Sequence, residues 1–155
     1  MSDTVETPEF MQQQRLALVC EDAPERQAVI KAALEQIGFT MHAARNADEA
    51  IERMRRDSYE LVIVDERFQG STPLDNPVLA ALHGMAMSTR RYMFVALLGR
   101  EYKTFDNMMA FARSVNVVVN PNDLPHLPAL LVKAMNDNNQ FYRVFREVLA
   151  EAGKR

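Results

Sequence analysis

The sequence predicts an α/β domain: a five-stranded parallel sheet with helices on both faces, plus an extra C-terminal amphipathic helix. Three observations carry this expectation. Short, largely apolar runs recur along the chain, among them RLALVC, LVIV, YMFVALL and VVV. Strands covered on both faces read this way, whereas half-exposed strands alternate. Segments with helical spacing and helix start or stop residues lie between the runs. Finally, the runs end on acidic or polar residues, Glu21–Asp22, Asp65 and Asn120, and in open parallel sheets function collects at those carboxyl ends.

Residues 1–14 are polar, contain Pro8 and show no sustained period, as expected of a flexible leader or linker. Arg15–Cys20 is the first strand. Pro24 opens a helix whose apolar side is assigned to Ala28, Ile30, Ala32, Leu34 and Ile37, with Gly38 as the stop. Phe39–Ala44 is a weak second strand. Asn46 caps the next helix, Glu49 makes an approximate capping box, and Ala47, Ala50, Ile51 and Met54 share one face. Leu61–Val64 is the third strand and ends on Asp65. A turn-rich stretch, Gln69–Pro77, leads to a helix over Val78–Met85. Tyr92–Leu98 is the fourth strand, Phe105–Arg113 a helix, Val117–Val119 the fifth strand and Leu127–Met135 the fifth helix. Phe141, Val144, Phe145, Val148, Leu149 and Ala152 then follow i, i+3, i+4, i+7, i+8, i+11, an amphipathic stripe. The expected division is therefore a leader over 1–14, a domain over 15–136 and an additional helix over 137–155.

At 155 residues, with 48% hydrophobic and 25% charged residues, the chain suits one soluble domain with a real core. A net charge of -3 without long charge runs disfavours nucleic acid binding through a basic face. No apolar run approaches the ~20 residues of a membrane span, and the N-terminus lacks the pattern of a signal peptide. Cys20 is the single cysteine, so no internal disulfide forms and a reducing, cytoplasmic setting is expected. Next to carboxylates, Cys20 reads as a buried thiol and not as a redox sensor. His42, His83 and His126 have no ligand spacing.

If the first and third strands are neighbours, Glu21, Asp22 and Asp65 converge. Such a cluster needs a hard cation or a proton, and oxygen-only ligation suits Mg²⁺. The segments LALVCEDAPE, YELVIVDERF and VVVNPNDL, in that order, resemble the receiver domain of two-component response regulators. The resemblance runs from about Arg15 to Met135, and it implies a flavodoxin-like fold and phosphorelay signal transduction. It implies that Glu21 and Asp22, with Asp65, hold Mg²⁺, and that Asp65 is the phosphoacceptor for a histidine kinase.

The departures from that family fall on the residues that read out phosphate. Leu98 stands where a Ser or Thr is expected, Val117 where a rotating aromatic is expected, and Asn120 replaces the lysine of a Lys-Pro pair. The loop after Asp65 is longer than usual. A charge-assisted hydrogen bond contributes about 1.5–3 kcal/mol, so losing the lysine and the hydroxyl removes most of the bias behind a switch of a few kcal/mol.

The expected function is an atypical receiver, or pseudo-receiver, acting mainly as a protein-interaction module with weakened or absent phosphorylation switching. Its partner would be a histidine kinase or a downstream signalling protein, with a homodimer through the C-terminal helix also open. The alternative is a working receiver phosphorylated at Asp65 in a Mg²⁺-dependent manner. A Mg²⁺-dependent phosphatase ranks below both. Asp65-Glu66-Arg67 lacks the Asp-x-Asp of haloacid-dehalogenase-like enzymes, and no P-loop, GxSxG or GxGxxG occurs. Enzymatic turnover is not expected.

Overall fold

The computed structural model describes residues 15–72 and 74–153; the expected leader over 1–14 lies outside the described residues. Five strands, β1 (Arg15–Cys20), β2 (Phe39–Ala43), β3 (Leu61–Asp65), β4 (Phe94–Leu98) and β5 (Val117–Val119), form one parallel sheet in the order β2-β1-β3-β4-β5. Five main helices accompany them: α1 (Pro24–Gln36), α2 (Ala47–Arg56), α3 (Pro77–His83), α4 (Asn107–Arg113) and α5 (Leu127–Glu151).

Alternate residues of each strand point to opposite faces, and the structure accordingly has two cores. Leu18, Cys20, Val62, Val64, Val95, Leu97 and Val118 pack against Ala50 of α2, Leu79 and Leu82 of α3 and Ala110 of α4. On the other face, Ala17, Val19, Leu61, Ile63, Ala96, Leu98, Val117 and Val119 meet Ile30 and Leu34 of α1 and Leu127 and Leu131 of α5. Each large aliphatic side chain fully buried here stabilises the fold by roughly 1.5–3 kcal/mol. The rigid, doubly covered sheet fixes where the strands end, and hence the site.

Several boundaries differ from expectation for local reasons. In α1 the buried residues are Ile30, Ala33 and Leu34, whereas Ala28 and Ala32 are exposed. The sheet-facing stripe is i, i+3, i+4, which places Ala28 and Ala32 on the far side. Gly38 closes the helix at φ +89, a backbone conformation that glycine adopts without penalty. Asn46 does cap α2, accepting from the Glu49 amide at 2.8 Å, but Glu49 reaches back to the amide of Arg45 and not to that of the cap residue. Helix α3 starts one residue early, at Pro77, capped by Asn76, and ends at His83. A further helical turn, Met87–Arg90, buries nothing and so left no apolar stripe in the sequence. β4 begins at Phe94, with Tyr92 74% exposed at the amino edge of the sheet. α4 begins after Asp106, which caps Met109, because Phe105 sits at φ +71.

The largest difference is α5. The expected break near residue 136 is absent, and one helix of 25 residues runs through it. The polar run Asn136–Asn139 contains no proline or glycine, and Lys133 pairs with Asp137 at 3.0 Å across one turn. Past Leu131 no residue of α5 is buried, and Phe141, Val144, Phe145 and Val148 are exposed. Among the described residues, no helix is long and apolar enough to cross a membrane.

Candidate functional site

β1 and β3 are neighbours with Cys20 opposite Val64, so the next residues, Glu21 and Asp65, come side by side at the carboxyl edge. Glu21 is buried, 1% exposed. Its Oε2 accepts from the Ala23 amide at 3.0 Å and from Arg26 Nη2 at 3.0 Å, while Oε1 is buried without a partner. Arg26 lies in the first turn of α1, and helical side chains lean toward the amino end of their helix. Its guanidinium therefore returns to the strand ends, where Nη2 is 3.8 Å from Asp65 Oδ2.

Asp65 Oδ1 accepts from the Arg67 amide at 2.8 Å. Burial pushes the Asp65 carboxyl up to about 6; the Arg67 amide opposes the rise, the Glu21 carboxylate adds to it, and Arg26 opposes it. The bond to Glu21 in turn raises the pKa of Arg26, keeping that cation charged.

Asp22 does not join them. Its Oδ2 accepts from the Gln69 amide at 2.9 Å and its Oδ1 from Gln69 Nε2 at 2.7 Å, so both oxygens close the loop after β3. Gln69 reaches them from φ +56, within the turn Phe68–Gly70. Among the described residues, no three metal-ligating side chains converge. Of the strand-end carboxylates, Glu21 and Asp65 face one arginine and Asp22 is bound at both oxygens to Gln69, a donor set that fits a divalent ion poorly.

The positions expected to read out phosphate are engaged elsewhere. Leu98 lies opposite Asp65 in the β3–β4 register, fully buried in the core on the α1 and α5 side. Val117 is buried in the same core. Asn120 donates through Nδ2 to the Arg100 carbonyl at 3.1 Å and the Tyr102 carbonyl at 2.9 Å, and accepts from the Asn122 amide at 2.9 Å. Its side-chain amide straps the β4–α4 loop to the turn after β5.

Sequence reasoning missed several residues here, among them Arg26, Glu66, Gly99 and Arg100. A cavity of about 210 Å³ is lined by Glu21, Asp22, Asp65 and Glu66, by Arg26, Arg67 and Arg100, and by Gly99 and Pro121. Glu66 is buried beside Gly99, and a second acid directly after a strand-end aspartate was the available signal. A Cβ on Gly99 would lie 2.4 Å from the Tyr102 ring and 2.8 Å from Glu66 Cδ, so only glycine lets both side chains close over the strand end. Tyr102 is held there by Arg113, whose Nε donates to its hydroxyl at 3.2 Å.

No family model matches the sequence, and no curated protein matches it. Solved structures do. A response regulator from Thermotoga maritima aligns with TM-score 0.60 at 22% identity, over 79% of this chain and 98% of that one. The signal receiver domain of an HD domain-containing protein from Pseudomonas fluorescens Pf-5 aligns with TM-score 0.61 at 19% identity, over 83% and 99%. This chain has the receiver fold. A fusion carrying a trimeric coiled-coil segment from yeast also aligns, with TM-score 0.60 at 16% identity, over 91% of this chain and 95% of that one. At these identities the receiver fold is what the likeness establishes; the chemistry of the pocket rests on its own residues.

Proposed function

We propose that this chain is a receiver-type protein-interaction module of two-component signalling whose strand-end site does not drive a phosphorylation switch. The observation that carries the reading is the commitment of Asn120, whose amide is spent on two loop carbonyls and one turn amide. A phosphoryl group on Asp65 would find neither a lysine there nor a hydroxyl at Leu98, which is sealed in the core. A modification shifts an equilibrium only by its differential interaction with the two states. With both reporting contacts absent, that difference is small.

The module acts by binding and not by turnover, with a histidine kinase or downstream signalling protein as partner. A second copy of the chain is a further partner, through α5. Leu131, Ala134, Asn138, Phe141, Phe145, Val148 and Ala152 lie at alternating three- and four-residue steps, a coiled-coil spacing. The domain covers only the first part of this stripe, and the likeness to a coiled-coil fusion extends over 91% of this chain, against 79% and 83% for the two receiver structures above. The buried, unpaired Cys20 accords with a cytoplasmic setting.

One observation favours the second reading, a phosphoaccepting receiver: Asp65 opens onto the cavity that Arg67 and Arg100 also line, and these could offset phosphoryl charge. Incubation with a small phosphodonor and Mg²⁺, followed by intact-mass measurement, tests the proposal. The expected mass is unchanged. A stoichiometric phosphoryl adduct that disappears in Asp65→Asn would select the second reading.

A further inference from the structure

We propose that Arg26 is the resident cation of the strand-end site: its guanidinium fills the place between Glu21 and Asp65 that a divalent ion would need, so the site keeps its charge balance without metal. The inference rests on the receiver-type reading of the pocket and is tested separately from it.

Three observations converge on it. The first is position. Arg26 Nη2 lies 3.0 Å from Glu21 Oε2 and 3.8 Å from Asp65 Oδ2, touching one carboxylate and facing the other. A divalent ion bound to both oxygens would stand within a few ångströms of that positive charge. Like charges repel strongly where burial lowers the local dielectric.

The second is the loss of the third ligand. Asp22 has both oxygens bound to Gln69. To join a metal it would give up a backbone and a side-chain hydrogen bond and release the turn at Phe68–Gly70. Ligation by all three carboxylates would therefore mean displacing the arginine and undoing the loop together, whereas ligation by Glu21 and Asp65 alone needs only that the arginine leave.

The third is the burial of Glu21. Its side chain is 1% exposed, and apart from the Ala23 amide its polar partner is Arg26. A buried carboxylate is retained only with a partner that offsets its charge. An arginine anchored in the first turn of α1 supplies that partner permanently and at no dependence on ion concentration. Glu21 Oε1 and Arg26 Nε are both buried without partners, so this pair has unused bonding capacity on each side. Removing the arginine would leave Glu21 with a single amide donor and an uncompensated charge, a site that then calls for a cation from solution.

The test is a Mg²⁺ titration of the wild-type chain, Arg26→Gln and Arg26→Lys, read by thermal unfolding midpoint and by the NMR resonance of the Arg26 side-chain Nε–H. In the wild type, millimolar Mg²⁺ is expected to move neither. Arg26→Gln is expected to unfold at lower temperature and to regain midpoint saturably with Mg²⁺, its affinity exceeding the wild-type value by about tenfold or more. Arg26→Lys keeps the charge and is expected to respond to Mg²⁺ as little as the wild type does.

Saturable Mg²⁺ binding by the wild type that shifts the Arg26 resonance would overturn the inference. So would a folded Arg26→Gln that gains no Mg²⁺ response. Should Arg26→Gln fail to fold, the wild-type resonance and the Arg26→Lys titration still decide, since Mg²⁺ binding in either contradicts a resident guanidinium. A phosphoryl adduct on Asp65 without Mg²⁺ binding would select the phosphoaccepting reading and leave this inference intact; Mg²⁺ binding without an adduct would overturn this inference and leave the proposed function standing.

Discussion

Replacing Asp65 with asparagine is expected to stabilise the fold at neutral pH. The Asp65 carboxyl is lifted from its ordinary 3.8 to about 6, chiefly by burial. The folded state therefore holds the proton more tightly than the unfolded chain does. Stability from this group is fully present below the ordinary value and is lost as pH rises through about 6. A shift of about two pKa units corresponds to about 3 kcal/mol. Solvent reaches the side chain, which is 15% exposed, and Asp65→Asn gives up the attraction of Arg26, so about 1–2 kcal/mol is expected. Asparagine keeps an acceptor for the Arg67 amide and adds a donor beside the unpartnered Glu21 Oε1. Urea unfolding of both proteins across mildly acidic to neutral pH measures the difference free energy and cancels the titration of groups remote from Asp65. The difference should be small at the acidic end and grow in favour of Asp65→Asn toward neutrality. A pH-independent difference, or a variant no more stable than the wild type at neutral pH, would refute the argument.

Three further outcomes follow from individual contacts. Gly99→Ala drives a Cβ into the Tyr102 ring and Glu66 Cδ; it should cost about 1–3 kcal/mol in urea unfolding and raise Tyr102 fluorescence quenching by solvent. Asn120→Ala leaves the Arg100 and Tyr102 carbonyls and the Asn122 amide without their partner; a loss of about 1–3 kcal/mol is expected in the same assay. Phe145→Glu places a charge in the exposed stripe of α5; light scattering should find the wild type self-associated and the variant monomeric, with the unfolding midpoint of the domain little changed because α5 is buried only at Leu127 and Leu131.

The sheet was legible because its strands are buried on both faces. Val117–Val119 and Arg15–Cys20 read correctly to the residue because short apolar runs bounded by turn residues suit a strand covered on both faces. The register that brings Glu21 beside Asp65 also followed from the fold class. The fate of Asp22 did not: it depends on Gln69 adopting φ +56, a conformation unusual for that residue type and set by the closure of the loop. Arg26 escaped notice because an arginine in the first turn of a helix ordinarily faces solvent, and only the packing of α1 on the sheet returns it to the strand ends. Asn120 stood out as a missing lysine, but its work as a strap is visible only once the β4–α4 loop is folded against it. The length of α5 was misread because a run of Asn and Asp weakens a helix without stopping it when no proline or glycine intervenes.

The strand-end site drives no phosphorylation switch: whether or not Asp65 takes up a phosphoryl group, nothing carries the event to the rest of the molecule. Backbone amide NMR of the wild-type chain, before and after treatment with a small phosphodonor and Mg²⁺, tests it most directly. The amide resonances of Leu98, Val117, Asn120 and α4 are predicted to stay in place, with any change confined to the immediate surroundings of Asp65. A second set of resonances running from Asp65 through Leu98 and Val117 into α4 would contradict the account.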